Sequence, residues 1–308
     1  MKKIKIIAVV AMSLALFTSV PFVNAESIKN ITYATESTGG QVDLTKLPAA
    51  EKEKLEKRND ELTEFFLAQA KAQGKLTTAQ KAGISADISS AKSEVKNIED
   101  RAKEIGLEKV TEFNPVVAPM ASSNSDFNWD VQMFYKDTST GNYVWEAQGQ
   151  FDSGKDWASE CFCSPYYKWY NLGGDDGFGL ASLHKDINIM TSGFWTLHDD
   201  LATDDDHSSN ISTLNARGAG WAWQDRVYAN APLIAPKEYD SHRRLGWITF
   251  SFVGGTPLGQ TISFQASTAH TWDSTSVNGI SIGGGGVGFS WASQGSSWTK
   301  PTSKAFKV

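Results

Sequence analysis

Ile280-Ser281-Ile282-Gly283-Gly284-Gly285-Gly286-Val287-Gly288-Phe289-Ser290-Trp291 alternates apolar with small residues on both sides of a glycine run. A strand turns successive side chains to opposite faces, so Ile280 and Ile282 share one face, as do Val287, Phe289 and Trp291. The glycines between them supply a hairpin loop or a flat, bulged region. No lysine or helix start follows, so the run lacks the features of a phosphate cradle. Gly288-Phe289-Ser290-Trp291-Ala292 approximates the Gly-x-Ser-x-Gly elbow of serine hydrolases. That elbow needs a sharp strand-to-helix turn, and here the serine sits inside a strand pattern.

The same period of two recurs upstream. Phe127, Trp129, Val131, Met133 and Tyr135 alternate with more polar neighbours, and Tyr143, Trp145 and Ala147 follow a turn at Thr140-Gly141-Asn142. Ile248, Phe250 and Phe252 form a further set, then Ile262, Phe264 and Ala266. Many short alternating segments separated by Gly and Asn turns predict a β-sandwich or a barrel. No amphipathic helix is evident after residue 125, and Ser192 to Asn210 shows no clear period.

Before residue 120 the chain changes character. All 11 tryptophans lie between Trp129 and Trp298, whereas Glu26 to Met120 is rich in Lys, Glu and Ala. Pro48-Ala49-Ala50-Glu51 suits a first helical turn, with proline where its missing N–H is harmless. Leu55, Leu62 and Phe66 then share a face, with Phe65 beside them, and Gly74 offers a stop. Thr77-Thr78-Ala79-Gln80 fits a capping box for a second helix. There Ile84, Ile88, Ala91, Val95, Ile98, Ala102 and Ile105 recur in steps of three and four, and Gly106 suits the C-cap. Two such helices cannot bury both stripes alone and require a partner surface. The expected class is therefore α+β: an N-terminal helical hairpin followed by an all-β sandwich or barrel-like domain.

The leader precedes both parts. Lys2, Lys3 and Lys5 are followed by an uncharged run from Ile6 to Phe22, and Val23-Asn24-Ala25 offers small residues to a signal peptidase. Ser13, Thr18, Ser19 and Pro21 interrupt the run, which falls short of the ~20 apolar residues of a spanning helix. These features predict export, cleavage after Ala25, and no stable transmembrane segment after processing. The expected plan is residues 1–25 signal peptide, 26–111 helical hairpin or pro-region, 112–125 linker and 126–308 Trp-rich all-β domain. Prolines at 115 and 119 keep that linker extended.

Net charge is −6, and loss of the leader lysines makes the chain more acidic still. Such a chain has no electrostatic reason to seek nucleic acid. Cys161 and Cys163 flank Phe162. On one strand they would share a face near or beyond the ~7 Å bridging limit, so a disulfide requires a tight, strained turn. A redox pair, half a metal site, a link to another chain and simple packing stay open, with a structural role favoured.

The stretch from Thr268 to Ser276, TAHTWDSTS, resembles a motif of exported β-proteins of Gram-positive bacteria and brings no activity with it. His184, His198, His207, His242 and His270 show no metal-gathering spacing. Asp199, Asp200, Asp204, Asp205 and Asp206 crowd one loop, and Asp175 and Asp176 another; such loops suit calcium, which takes six to eight oxygens. Glutamate is scarce in the β half (Glu146, Glu160 and Glu238), so no proton donor for glycoside hydrolysis stands out.

Among the tryptophans, Trp221 and Trp223 flank Ala222 and so share a face, with Gln224, Asp225 and Arg226 beside them. Exposed indoles stack on sugars. The sequence therefore points first to a secreted, non-catalytic binding protein of the cell exterior, with Trp221, Trp223, Gln224, Asp225 and Arg226 meeting a glycan or cell-surface ligand. A membrane-active toxin or antimicrobial made as a precursor is the alternative, and a secreted hydrolase the third.

Overall fold

A computed structural model describes residues 39–113, 126–152, 167–229, 238–273, 275–293 and 295–308. The leader, most of the expected linker and Cys161 with Cys163 lie outside the described residues. Two helices precede a β-sandwich. Helix α1 spans Ala49–Ala82 and α2 spans Ser85–Glu104. The break falls at Gly83, with φ at 71°, and not at Gly74 as the glycine spacing suggested. Gly83 closes α1 by donating its N–H to the Ala79 carbonyl at 3.0 Å, an arrangement that favours a residue without a Cβ. Gly74 stays helical because it solves a packing problem instead: a Cβ there would come within 2.8 Å of Leu201 Cδ2. Thr77 consequently lies inside α1 and caps nothing.

The first large sheet runs β1 (Gly40–Gln41), β8 (Ile187–Leu197), β14 (Arg243–Phe252), β5 (Tyr143–Phe151), β4 (Phe127–Asp137) and β2 (Leu107–Lys109), with β9 (Asp204–Asp206) also on β8. The segment without clear period, Ser192 to Asn210, thus supplies most of β8 and all of β9. In the second sheet the order is β10 (Ile211–Asn215), β11 (Gly218–Trp223), β7 (Asp176–Ser182), β15 (Thr261–Thr271), β18 (Ser297–Lys307) and β3 (Glu112–Phe113). Their inner faces meet in one aromatic core, with Trp145 against Phe264 and Phe194 against Trp221. This is a sandwich. Glu112 and Phe113, at the start of the expected linker, are extended and pair with β18.

Each outer face is covered. On the first sheet, Leu62, Phe65 and Phe66 of α1 pack on Tyr135, Val144, Leu245 and Trp247. Polar contacts fix the same interface: Arg58 donates to both oxygens of Asp137 at 3.0 and 2.9 Å, and Lys71 pairs with Asp204 at 2.6 Å. The hairpin therefore shares a core with the β domain. The glycine-run hairpin, β16 (Val277–Gly283) and β17 (Gly286–Trp291), lies on the second sheet. Gly179 permits that approach, because a Cβ there would meet Val287 at 2.6 Å.

One strand departs from simple alternation. In β4, Trp129 faces Gly149 and Val131 faces Gln148, which leaves Asp130 as an extra, bulged residue. Phe127 and Trp129 point into the sandwich, but Met133 and Tyr135 point out under the helices, while Gln132 and Phe134 take the inner positions. The alternating set of Phe127 to Tyr135 thus occupies two faces instead of one.

Candidate functional site

Two places gather polar side chains beyond what packing requires. The first lies at one end of the sandwich. Asp176 opens β7, Arg244 is second in β14, His270 is next to last in β15, and Asp225 stands two residues past β11. All four are fully buried. Arg244 donates to Asp176 Oδ2, to Thr268 Oγ1 and, at 3.1 Å, to the Ala269 carbonyl. His270 Nδ1 lies 2.8 Å from Asp176 Oδ2 and 3.5 Å from Asp225 Oδ2. A third short strand, β13 (Glu238–Tyr239), brings the Tyr239 hydroxyl, which donates to Asp225 at 2.7 Å. Aromatic rings close over the guanidinium: its carbon lies 4.7 Å from the Trp223 ring centre and 4.8 Å from that of Phe151.

Dry surroundings govern the charges here. Burial, followed by the neighbouring Asp176, holds the Asp225 carboxyl well above the usual carboxylate range. Asp176 and Arg244 then form the charged pair, and Asp225 stands beside them as a carboxyl donor or acceptor. Asp176, Asp225 and His270 bring ligand atoms within 4.8 Å of one another and form the group among the described residues that could hold a metal ion. Arg244 already neutralises Asp176, however, and none of these side chains reaches solvent. A catalytic acid or nucleophile must meet its substrate. The geometry is that of a polar pin joining the two sheets.

The second place is open to solvent. Strands β6 (Lys168–Asn171), β12 (Arg226–Ala229) and β13 form a small sheet, in which Trp169 pairs with Tyr228 and Tyr228 with Glu238. Strand alternation puts Trp169, Asn171, Arg226, Tyr228 and Glu238 on one face, while Val227, Ala229 and Tyr170 form a small apolar cluster on the other. The Trp169 and Tyr228 rings stand 5.4 Å apart and are half-buried. Arg226 lies over the Trp169 ring at 5.3 Å. Just before the strand, Tyr167 is 70% exposed and holds φ at 68°, a conformation that an aromatic residue adopts at some cost.

Carboxylates rim this face. Beneath Trp169, His198 is held between Glu238 Oε1 at 2.7 Å and Asp205 Oδ2 at 3.1 Å. Burial works against charge on His198, but these carboxylates outweigh it and raise its pKa. Arg226 Nε donates to Asp240 at 2.8 Å, and Arg226 Nη2 reaches Asp205 at 3.4 Å. His207 and His242 are pushed down to about 4 by burial and are neutral at physiological pH.

The residues singled out by sequence separate in space. Trp221 and Trp223 do share a face, but it is the inner one. Both are buried in the core, so neither offers a stacking platform, and their neighbours Phe178 and Phe194 take the place of a ligand. Gln224 donates to the Leu172 and Gly174 carbonyls, and Asp225 belongs to the pin. Of that group only Arg226 reaches the open face. The five aspartates of the 199–206 loop serve separate partners: Asp199 pairs with His242, Asp200 caps the turn at Ala202 and Thr203, and Asp204 binds Lys71. Asp205 binds His198 and Arg226, and Asp206 accepts from the Ser208 N–H.

Sequence reasoning did not single out Trp169 or Tyr228, and met Glu238 only as one of the scarce glutamates. Their only local signal was alternation across two short segments, too brief to set them apart. No family model and no curated protein matches the chain. Among solved structures it is similar to one described as AvmM, which catalyses macrocyclization in alchivemycin A biosynthesis. That similarity has a TM-score of 0.23 and 9% identity, over 54% of this chain and 80% of the other. An overlap so slight carries neither a fold assignment nor a function.

Proposed function

We propose that the chain is an exported, non-catalytic binding protein of the cell exterior, which engages a glycan or another cell-surface ligand through the open face of the small sheet. The observation that carries this reading is the half-buried pair Trp169 and Tyr228, with exposed Tyr167 beside it and charged side chains around the rim. Aromatic rings stack on the C–H face of a sugar, and flanking carboxylates, amides and guanidinium groups bind its hydroxyls. The rim is held in place before any ligand arrives, since Glu238, Asp205 and Arg226 are tied to His198 and Asp240. Pre-organisation of this kind lowers the entropy cost of binding.

A glycan array probed with the full chain and with Trp169→Ala tests the reading. Trp169→Ala should remove retention while leaving the unfolding midpoint nearly unchanged. Trp221→Ala, by contrast, should destabilise the fold by ~3–5 kcal/mol, as a large-to-small core substitution does. Retention that survives Trp169→Ala would exclude this face as the binding surface.

A further inference from the structure

The charge around the open face points to one class of ligand. Glu238 uses only Oε1 on His198, and Asp205 uses only Oδ2 on His198 and Arg226. Glu238 Oε2 and Asp205 Oδ1 are left for an outside donor, and the two side chains are 40% and 34% exposed. Asp199, Asp200 and Asp206 add exposed carboxylates on the adjoining loop. Asp199 also accepts the Tyr239 N–H, which ties that loop to the edge of the sheet. Against these, among the described residues the face carries Arg226 and His198, both already enclosed by carboxylates. The face is therefore aromatic in its middle and acidic at its rim.

From this complementarity we infer that the ligand is a glycan bearing free amino groups, its rings stacked on Trp169 and Tyr228 and its ammonium groups paired with Glu238 and Asp205. The inference rests on the binding face proposed above and goes further by naming the chemistry of what it holds. An ammonium donates up to three hydrogen bonds and accepts none, which matches a rim whose spare atoms are carboxylate oxygens. Acetylating the amine removes both the charge and this match. Neutral sugars would use the rings without the rim, and acidic sugars would be repelled by it.

Calorimetric titration of the full chain tests this, using glucosamine oligomers and the same oligomers fully N-acetylated as probes. The free-amine oligomer should bind, and its affinity should fall as salt rises, because exposed ion pairs are screened. Trp169→Ala should weaken it roughly tenfold or more, as loss of a central aromatic anchor does. Glu238→Gln should weaken it roughly two- to fivefold, the range of an exposed ion pair. Tyr228→Ala serves as a second ring variant if Trp169→Ala shifts the unfolding midpoint. Equal binding of both oligomers, lost in both ring variants, would overturn the amino-sugar inference and leave the face as the site. Binding untouched by either ring variant, or no binding of either oligomer alongside an array hit that is insensitive to Trp169→Ala, would overturn both.

Discussion

Arg243 and Arg244 are neighbours on one strand, both fully buried, and each serves an opposite face of the same sheet. Arg244 points inward to Asp176 across the sandwich. Arg243 points outward and grips Asp130 through two hydrogen bonds of 2.8 Å, beneath helix α1. Thr77 of that helix donates to the same aspartate at 3.0 Å. The bulge in β4 places Asp130 and Val131 together on this side.

Breaking the inner pair should be costly. Asp176→Asn or Arg244→Ala leaves one charge in a dry site without its counter-charge, which destabilises a fold by ~3–5 kcal/mol. Chemical unfolding monitored by tryptophan fluorescence measures it. Replacing both partners with apolar residues should recover part of the loss, because a desolvated pair gains little over good packing. A single substitution that leaves the midpoint in place would show the pin to be dispensable.

Glu146 gives the fold a pH dependence that carboxylates seldom produce. It is fully buried on the outer face of β5, hydrogen-bonded by Gln148, and burial pushes its pKa up to about 8 from 4.5. The folded state therefore holds a proton that the unfolded chain releases above about 4.5. Stabilisation is complete below the unfolded value and is lost as pH rises from about 4.5 to about 8, by no more than about 1.4 kcal/mol per pH unit. Glu146→Gln should flatten that slope and raise stability at pH 8 relative to the wild type. Parallel pH profiles for the two proteins would refute the assignment.

The helical pair and the sandwich should melt together. Phe66 is fully buried, its ring 5.5 Å from that of Trp247 and 6.2 Å from that of Tyr135, so it belongs to both parts at once. Phe66→Ala should cost ~3–5 kcal/mol and move a single cooperative transition. Two transitions, with only the helical one shifted, would mean that the sandwich folds without its cover.

Legibility differed between elements for physical reasons. The helical stripes and the glycine-run hairpin could be read directly, because a period of 3.6 or 2 held over enough residues to exclude the other. The boundary between the helices was misread. Gly74 and Gly83 look alike in sequence, but Gly83 takes the left-handed conformation that ends the helix, whereas Gly74 gives room to Leu201 and Arg243, more than a hundred residues away. The face shared by Trp221 and Trp223 followed from strand period, whereas which way it faced depended on pairing with β7. For the same reason Asp176, Arg244 and His270, far apart in the chain, gave no local sign of meeting. Trp169 and Tyr228 meet across a pairing that joins short segments about sixty residues apart.

The single extra residue at Asp130 lets β4 be read in two frames. Before it, large side chains fill the sandwich; after it, the same odd-numbered positions fill the layer under the helices. The bulge works as a switch of reading phase, and it lets one continuous strand contribute to two separate cores. Deleting Asp130 would close the ladder into plain alternation, with Phe127 and Trp129 still inward and Met133 and Tyr135 still outward, and would take away only the carboxylate that Arg243 and Thr77 hold.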